Sequence, residues 1–446
     1  MIKPISDYES YLFFSYLPKF SEASLEWLNC DFDNDFGQGI DRESWWVNEG
    51  IKAIKQTMAD EIGNTDPGAD HILLLSGGID SRAILGGLLE NLPKSRIIAV
   101  TYGIPGAWDF EIAKIISRKF GIRHEVFNLL EEKWDINELI KAATHLKRPV
   151  SVYQSYVRQK INNRFGTGCV YWSGFMGDML SGYGLLEIPN TNKLEAIKKF
   201  LAIEPTPNYQ DRVFESEIIN KIMVEFPWDR VNQSKFCLDD QLDFCLRQRY
   251  LTQPILIMNG FTFKIPFLNR KWVNFCSNVP YKWRIRQYLY RRITQGSYKE
   301  LSKIHYANTA GMSLFASKNE IFLGKAIARI KPYIIRRDPY LSHPRTNYIN
   351  WTESLRHKGP FQETVYTTIQ NLKERAIINN KDIDTWWRDN LNRKVDYTTL
   401  LMNLSSLELL LKAGIVGGSV GGDRPDGLSQ QLQTGMTGHE DHGYKR

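Results

Sequence analysis

The chain is most constrained by a four-residue apolar run, Ile72-Leu73-Leu74-Leu75, that passes directly into Ser76-Gly77-Gly78-Ile79-Asp80-Ser81. A short apolar run closed by glycines predicts a buried strand. Ser81 to Leu92 then has the apolar spacing of a helix. Arg96 to Thr101 reads as a second strand, Ala107 to Gly121 as a helix with a glycine stop, and His124 to Leu129 as a third strand. Cys169 to Trp172 is a later strand, again followed by a glycine-containing turn. Strands and helices alternating at these lengths predict an α/β fold built on a doubly wound parallel sheet. Glu43 to Ile62 reads as a helix ahead of this unit, set off by the breaker Asn64 to Asp70. Past about Asn190 the pattern is helical, ending in an amphipathic helix over Val395 to Ala413.

The turn after the first strand has the chemistry of an anion site. Gly77 and Gly78 let backbone approach a ligand closely and tolerate positive φ. The free N–H groups and dipole of the following helix favour phosphate, and the hydroxyls of Ser76 and Ser81 add donors. Asp80 is at odds with phosphate unless it holds Mg²⁺, which bridges carboxylate and phosphate oxygens. Neither a Walker A pattern nor GxGxxG occurs. Alone, so short a loop is also compatible with a plain turn capped by serine and aspartate.

Ser76 to Ser81 resembles the SGGxDS pyrophosphate loop of the ATP pyrophosphatase (PP-loop) superfamily, which cleaves ATP between its α and β phosphates. Three further stretches resemble the asparagine synthetase branch. The first is Tyr102-Gly103-Ile104 with Asp109, Ala113 and Phe120-Gly121. The second is Ser173-Gly174-Phe175-Met176-Gly177-Asp178 with Ser181-Gly182-Tyr183, which is similar to SGxGxDExxGGY. The third is Lys264 to Asn269, similar to RxPFLD, followed by the basic helix Arg284 to Ile293. The resemblance implies ATP and Mg²⁺ as cofactors. It places ATP on Leu75, Ser76, Gly77, Gly78, Asp80, Ser81, Tyr102 (at the adenine), Ser173 and Gly174. It makes Asp80 and Asp178 the catalytic carboxylates that hold the metal. It divides the chain into a short remnant-like segment 1–42, a PP-loop nucleotide-binding core 43–190 and a helical part 191–413 completing the synthetase domain; the tail 414–446, glycine-rich with few large apolar residues, is expected to be disordered.

This chain departs from the pattern at several positions. Ile2 stands where glutamine-dependent members carry the amidase cysteine, so the glutaminase domain is expected to be missing. Ammonia would then come from solvent or from a separate glutaminase, unless the nucleophile is another substrate's amine. Phe175 occupies the place of a glutamate implicated in deprotonating the incoming nitrogen. Asn308 lies near the place of a family lysine that stabilises the charge building on phosphorus, and the nearby Lys303 cannot be assigned that role.

The resemblance therefore implies a ligase that adenylates a carboxylate and joins it to ammonia or an amine. The acid could be aspartate, a saccharide uronic acid or a peptide side chain. Two rivals stand beside this reading: a PP-loop tRNA-modifying enzyme, and a nucleotide-binding protein without turnover. The net charge of +7 permits RNA, but no cysteine pair or basic tract argues for it. The five cysteines are scattered and contain no CxxC, and no apolar stretch of about 18 residues occurs, which together suit a cytoplasmic protein without a membrane span. His145, Lys147 and His305 read as solvated loop residues, Arg291-Arg292 as a solvated helix face, and Trp45, Trp46, Trp386 and Trp387 as packing residues.

Overall fold

The computed structural model describes residues 6–28, 36–203, 212–228, 236–334 and 348–416. At its centre is a five-stranded, all-parallel sheet: β1 (His71–Leu74), β2 (Ile97–Gly103), β3 (Arg123–Asn128), β4 (Val170–Trp172) and β5 (Thr262–Lys264), in spatial order β3-β2-β1-β4-β5. The α/β parallel-sheet expectation is met, and its first four strands fall within a residue or two of where the apolar runs place them. β5 went unread as a strand: its three residues Thr262-Phe263-Lys264 are too few to show a period.

β1 is the hub. Leu73 pairs with Ala99 of β2 on one side and with Trp172 of β4 on the other, and all three side chains are buried. A strand flanked on both edges and covered on both faces must be apolar throughout, which explains the unbroken Ile72–Leu75 run. Strand order advances from β1 to β2 and β3 in one direction and resumes with β4 in the other. The C-terminal ends of β1 and β4 therefore diverge into a crevice, the position where open α/β sheets bind ligands.

Local signals set the helices. α1 (Asp7–Phe14) starts with a capping box between Ser6 and Glu9. α2 (Glu43–Gly63) and α3 (Ile79–Asn91) pack together. α4 (Trp108–Phe120) stops at Gly121, whose φ of 64° suits glycine. α5 (Ile136–Thr144) is capped by Asp135, and α6 (Val152–Phe165) leads into β4. The N-terminal segment belongs to the body. Tyr11, Leu12, Phe13 and Phe14 are buried, α1 lies against the late helix Thr398–Lys412, and Asn403 Nδ2 donates to Ser15 Oγ at 2.6 Å. The tail 417–446 lies outside the described residues. The described cysteines are free, and no helix among the described residues is long and apolar enough to cross a membrane.

A buried pair ties β1 to β4: Trp172 Nε1 donates to His71 Nδ1 at 3.0 Å. Burial, then the Arg96 charge, holds His71 neutral, with its pKa lowered to about 4. The unfolded chain takes up this proton near pH 6.5 and the folded one does not. This contribution to stability is therefore present above pH 6.5 and lost as pH falls toward 4. Urea unfolding across that range should show stability falling with pH, with a shallower fall in His71→Asn, whose amide accepts the indole N–H without ionising. Identical slopes would refute the assignment.

Candidate functional site

Two loops fill the crevice. The first follows β1. Ser76 Oγ accepts from Gly78 N–H at 3.1 Å, Ser81 Oγ accepts from Ser76 N–H at 3.2 Å, and the two hydroxyls lie 3.1 Å apart. The serines thus fix the turn as well as offering oxygen atoms to a ligand. Gly78 has φ −80° and neither loop glycine has positive φ, so the left-handed freedom expected of them is not used. Close approach is what requires Gly77: a Cβ there would lie 2.8 Å from Ala307 Cβ, whereas one on Gly78 would meet only Ser76 Oγ, at 3.1 Å. Gly77 N–H donates to Asp109 Oδ1 at 2.8 Å, so a carboxylate from α4 already occupies a donor of this turn.

The second loop follows β4 and enters the short helix α7 (Gly177–Leu180). It packs directly on the first. A Cβ on Gly174 would come within 2.9 Å of Asp80 Cβ, and one on Gly177 within 2.4 Å of Asp80 Oδ1. Met176 has φ 69° and is buried. It stands where the SGxGxD pattern has glycine, and it keeps the left-handed backbone, with side-chain burial offsetting the strain.

A cavity of about 370 Å³ opens between these loops. Of the residues that the resemblance assigns to ATP or the metal, all line it except Gly77 and Gly78. Asp80 Oδ1 accepts from the buried Tyr290 hydroxyl at 2.8 Å, and Asp178 Oδ1 accepts from Met179 N–H at 2.9 Å. Burial, then the Asp178 charge, pushes the Asp80 carboxyl well above its ordinary range. Burial also raises Asp178 to about 6, with Asp243 adding to it, and burial raises Asp109 to about 6. Among the described residues no cationic side chain pairs with Asp80 or Asp178, and a divalent cation shared with phosphate oxygens would supply that counter-charge. Asp80 and Asp178 fit Mg²⁺ in that role. Among the described residues no cluster of three His, Cys, Asp or Glu forms a closed all-protein metal cage.

Several cavity residues escaped the sequence reading. Arg158 Nη2 donates to the Tyr102 hydroxyl at 2.7 Å, the Tyr348 ring packs on Tyr102 with centroids 5.5 Å apart, and Gln248 and Thr252 arrive on a π-helical stretch, Asp243–Thr252. These residues come from distant parts of the chain and carry no local motif. The π-helix is itself a common mark of functional sites.

Other candidates lie elsewhere. Lys303 pairs with Glu300 on the surface, and Asn308 is exposed. His145 bonds Lys141 O and His305 bonds Gly311 O. Arg292 pairs with Glu43, and Arg291 donates to Leu314 O. Trp45 packs edge-on to Trp46, as expected of packing residues.

Gly177 gives a direct test of loop contact. In Gly177→Ala the new methyl displaces the Asp80 carboxylate, so calorimetry should show Mg²⁺·ATP affinity down about tenfold or more, given the strength of charged contacts. Circular dichroism should show that the variant still folds, with some loss of melting temperature because the methyl also meets Phe267 Cδ2, 2.9 Å from its position. Unchanged affinity would show that the two loops do not share the site.

Residues 71–213 match the family described as asparagine synthase. The matched span contains β1 to β4 and both loops. A comparison with curated proteins finds no match.

Proposed function

With residues 71–213 as an asparagine synthase domain, of a family of ATP-dependent amide-forming ligases, we infer that this chain activates a carboxylate as its acyl-adenylate and transfers the acyl group to nitrogen. The observation that carries this reading is the meeting of Asp80 and Asp178 across the crevice, on two loops packed too closely for side chains at Gly174 and Gly177.

In the proposed reaction a carboxylate oxygen bonds the α phosphorus, the α–β bridging bond breaks, and pyrophosphate leaves. Nitrogen then bonds the acyl carbon, the acyl–phosphate bond breaks, AMP leaves, and the nitrogen loses a proton. Asp80 and Asp178 would hold Mg²⁺, which would supply charge neutralisation for the phosphates. The chain's own part is positioning. Tyr290 orients Asp80, the Ser76–Ser81 contacts hold the turn rigid, and Tyr348 packs edge-on to Tyr102 in the cavity lining. Fixed geometry and preset charge supply much of the barrier reduction in such transfers.

Phe175 sets the nitrogen step apart from that of asparagine synthetases. Its ring is 4% exposed and stacks on Trp27 of the N-terminal segment, with centroids 6.1 Å apart and planes at 19°. The Arg249 guanidinium lies 5.7 Å from the Trp27 ring centroid on this stack. An aromatic stack thus holds the place of the acid, and this part of the loop has no proton acceptor.

Two measurements test the reading. With a panel of carboxylates, Mg²⁺ and ATP, the wild-type chain should release pyrophosphate and Asp80→Asn should release none while melting as a folded protein. Wild-type turnover in that variant would remove the metal assignment. With aspartate and ammonium as substrates, asparagine formation should be slow or absent near neutral pH. Any ammonia-dependent amidation should rise with pH through the ammonium titration without an earlier plateau. Brisk asparagine synthesis at neutral pH would restore plain asparagine synthetase as the function.

A further inference from the structure

The charge of the cavity is one-sided. Three carboxylates, Asp80, Asp109 and Asp178, face it, and among the described residues Arg158 is the one cationic side chain in its lining. Two other arginines near the turn are committed to structure. Arg82 is buried, donating to Gly77 O at 3.1 Å and Ile304 O at 2.8 Å under the Tyr306 ring, and Arg291 donates to Leu314 O.

Arg158 is held differently. It projects from α6, is half-buried, and spends one N–H on the Tyr102 hydroxyl, while its guanidinium lies 4.8 Å from that ring's centroid. Among the described residues no carboxylate pairs with it. A guanidinium carries five donors in a planar fork. The ring and hydroxyl thus fix its direction and leave most of its hydrogen-bonding capacity for something else. The location says what. Leu74 pairs with Val100, and Leu75 N–H donates to Val100 O at 2.9 Å, so continuing the register sets Tyr102 beside Ser76, the first residue of the turn. An orientated arginine that lines the same cavity as Ser76 and Ser81, where the other charged lining side chains among the described residues are acidic, matches a phosphate oxyanion.

We propose that Arg158 binds the polyphosphate of the nucleotide and is the side-chain cation that balances its charge in this site. The proposal rests on the ATP-dependent reading above and adds to it a residue from outside both loops. Two consequences follow for specificity. Affinity should depend on phosphate number, because the arginine is matched to phosphate and not to the base. Tyr102 acts as the platform that keeps the guanidinium in place, so its hydroxyl should contribute less than the charge does.

The test is calorimetric binding of Mg²⁺·ATP, AMP and adenosine to the full chain and to Arg158→Gln, Arg158→Lys and Tyr102→Phe. A lost charged hydrogen bond corresponds to about a ten- to hundredfold change. Arg158→Gln should weaken Mg²⁺·ATP by that factor while adenosine stays within about twofold, and Arg158→Lys should recover part of the loss. The proposal is overturned if Arg158→Gln binds Mg²⁺·ATP as the wild type does. It is equally overturned if Arg158→Gln loses ATP and adenosine in equal measure and Tyr102→Phe reproduces the loss, since the arginine would then act only by placing the tyrosine. Failure of the wild-type chain to bind Mg²⁺·ATP at all would overturn the ATP-dependent reading first, a result separate from either of these.

Discussion

The site depends on the contact between two loops that leave neighbouring parallel strands. β1 and β4 lie side by side, but their loops belong to opposite windings of the sheet. Where the winding reverses two such loops can converge, and here the glycines of one lie against the Asp80 side chain of the other. Gly174 and Gly177 have no side chains because the Asp80 side chain fills that space. This packing sets Asp80 and Asp178 at one cavity. Tyr290 and the Met179 N–H then fix how each carboxylate is aimed.

The electrostatics follow from that geometry. Carboxyls drawn together in a poorly solvated cleft hold their protons more tightly, and Asp80, Asp109 and Asp178 all show the upward shift that burial produces. A bound cation would supply the counter-charge that such a cluster lacks. Asp109 on the Gly77 N–H adds a further element, since an incoming phosphate must share or displace that carboxylate's contact. The chain thus combines a serine- and glycine-built helix N-terminus with an acidic lining, an arrangement that would suit a magnesium–nucleotide complex better than either partner alone.

Much of this was legible in the sequence because its causes are local. The Ile72–Leu75 run, the glycines, Asp80 and Asp178 lie within two short segments, and a strand buried on both faces writes itself as unbroken apolar residues. The unread remainder is non-local. Arg158 lies mid-helix, Tyr290 is one aromatic among many, and Tyr348 is some distance further along the chain. Their roles exist only once the sheet has assembled. The glycine turn was right in kind but not in detail, since steric contact with Ala307 and not a positive φ requires Gly77. Met176 shows the reverse: a substitution that departs from the pattern while the backbone keeps its left-handed turn. The Phe175–Trp27 stack explains why the acid could be replaced, by a partner from a segment that the sequence marked only as short and aromatic.

The central claim is that Asp80 and Asp178 together hold a cation that anchors the nucleotide. Its most direct test is the affinity of the wild-type chain for ATP with excess Mg²⁺ and again with excess EDTA, repeated for Asp178→Asn. The account predicts tight binding only with Mg²⁺ in the wild-type chain, and weak, Mg²⁺-indifferent binding in the variant. Equal ATP affinity in Mg²⁺ and in EDTA by the wild-type chain would contradict it.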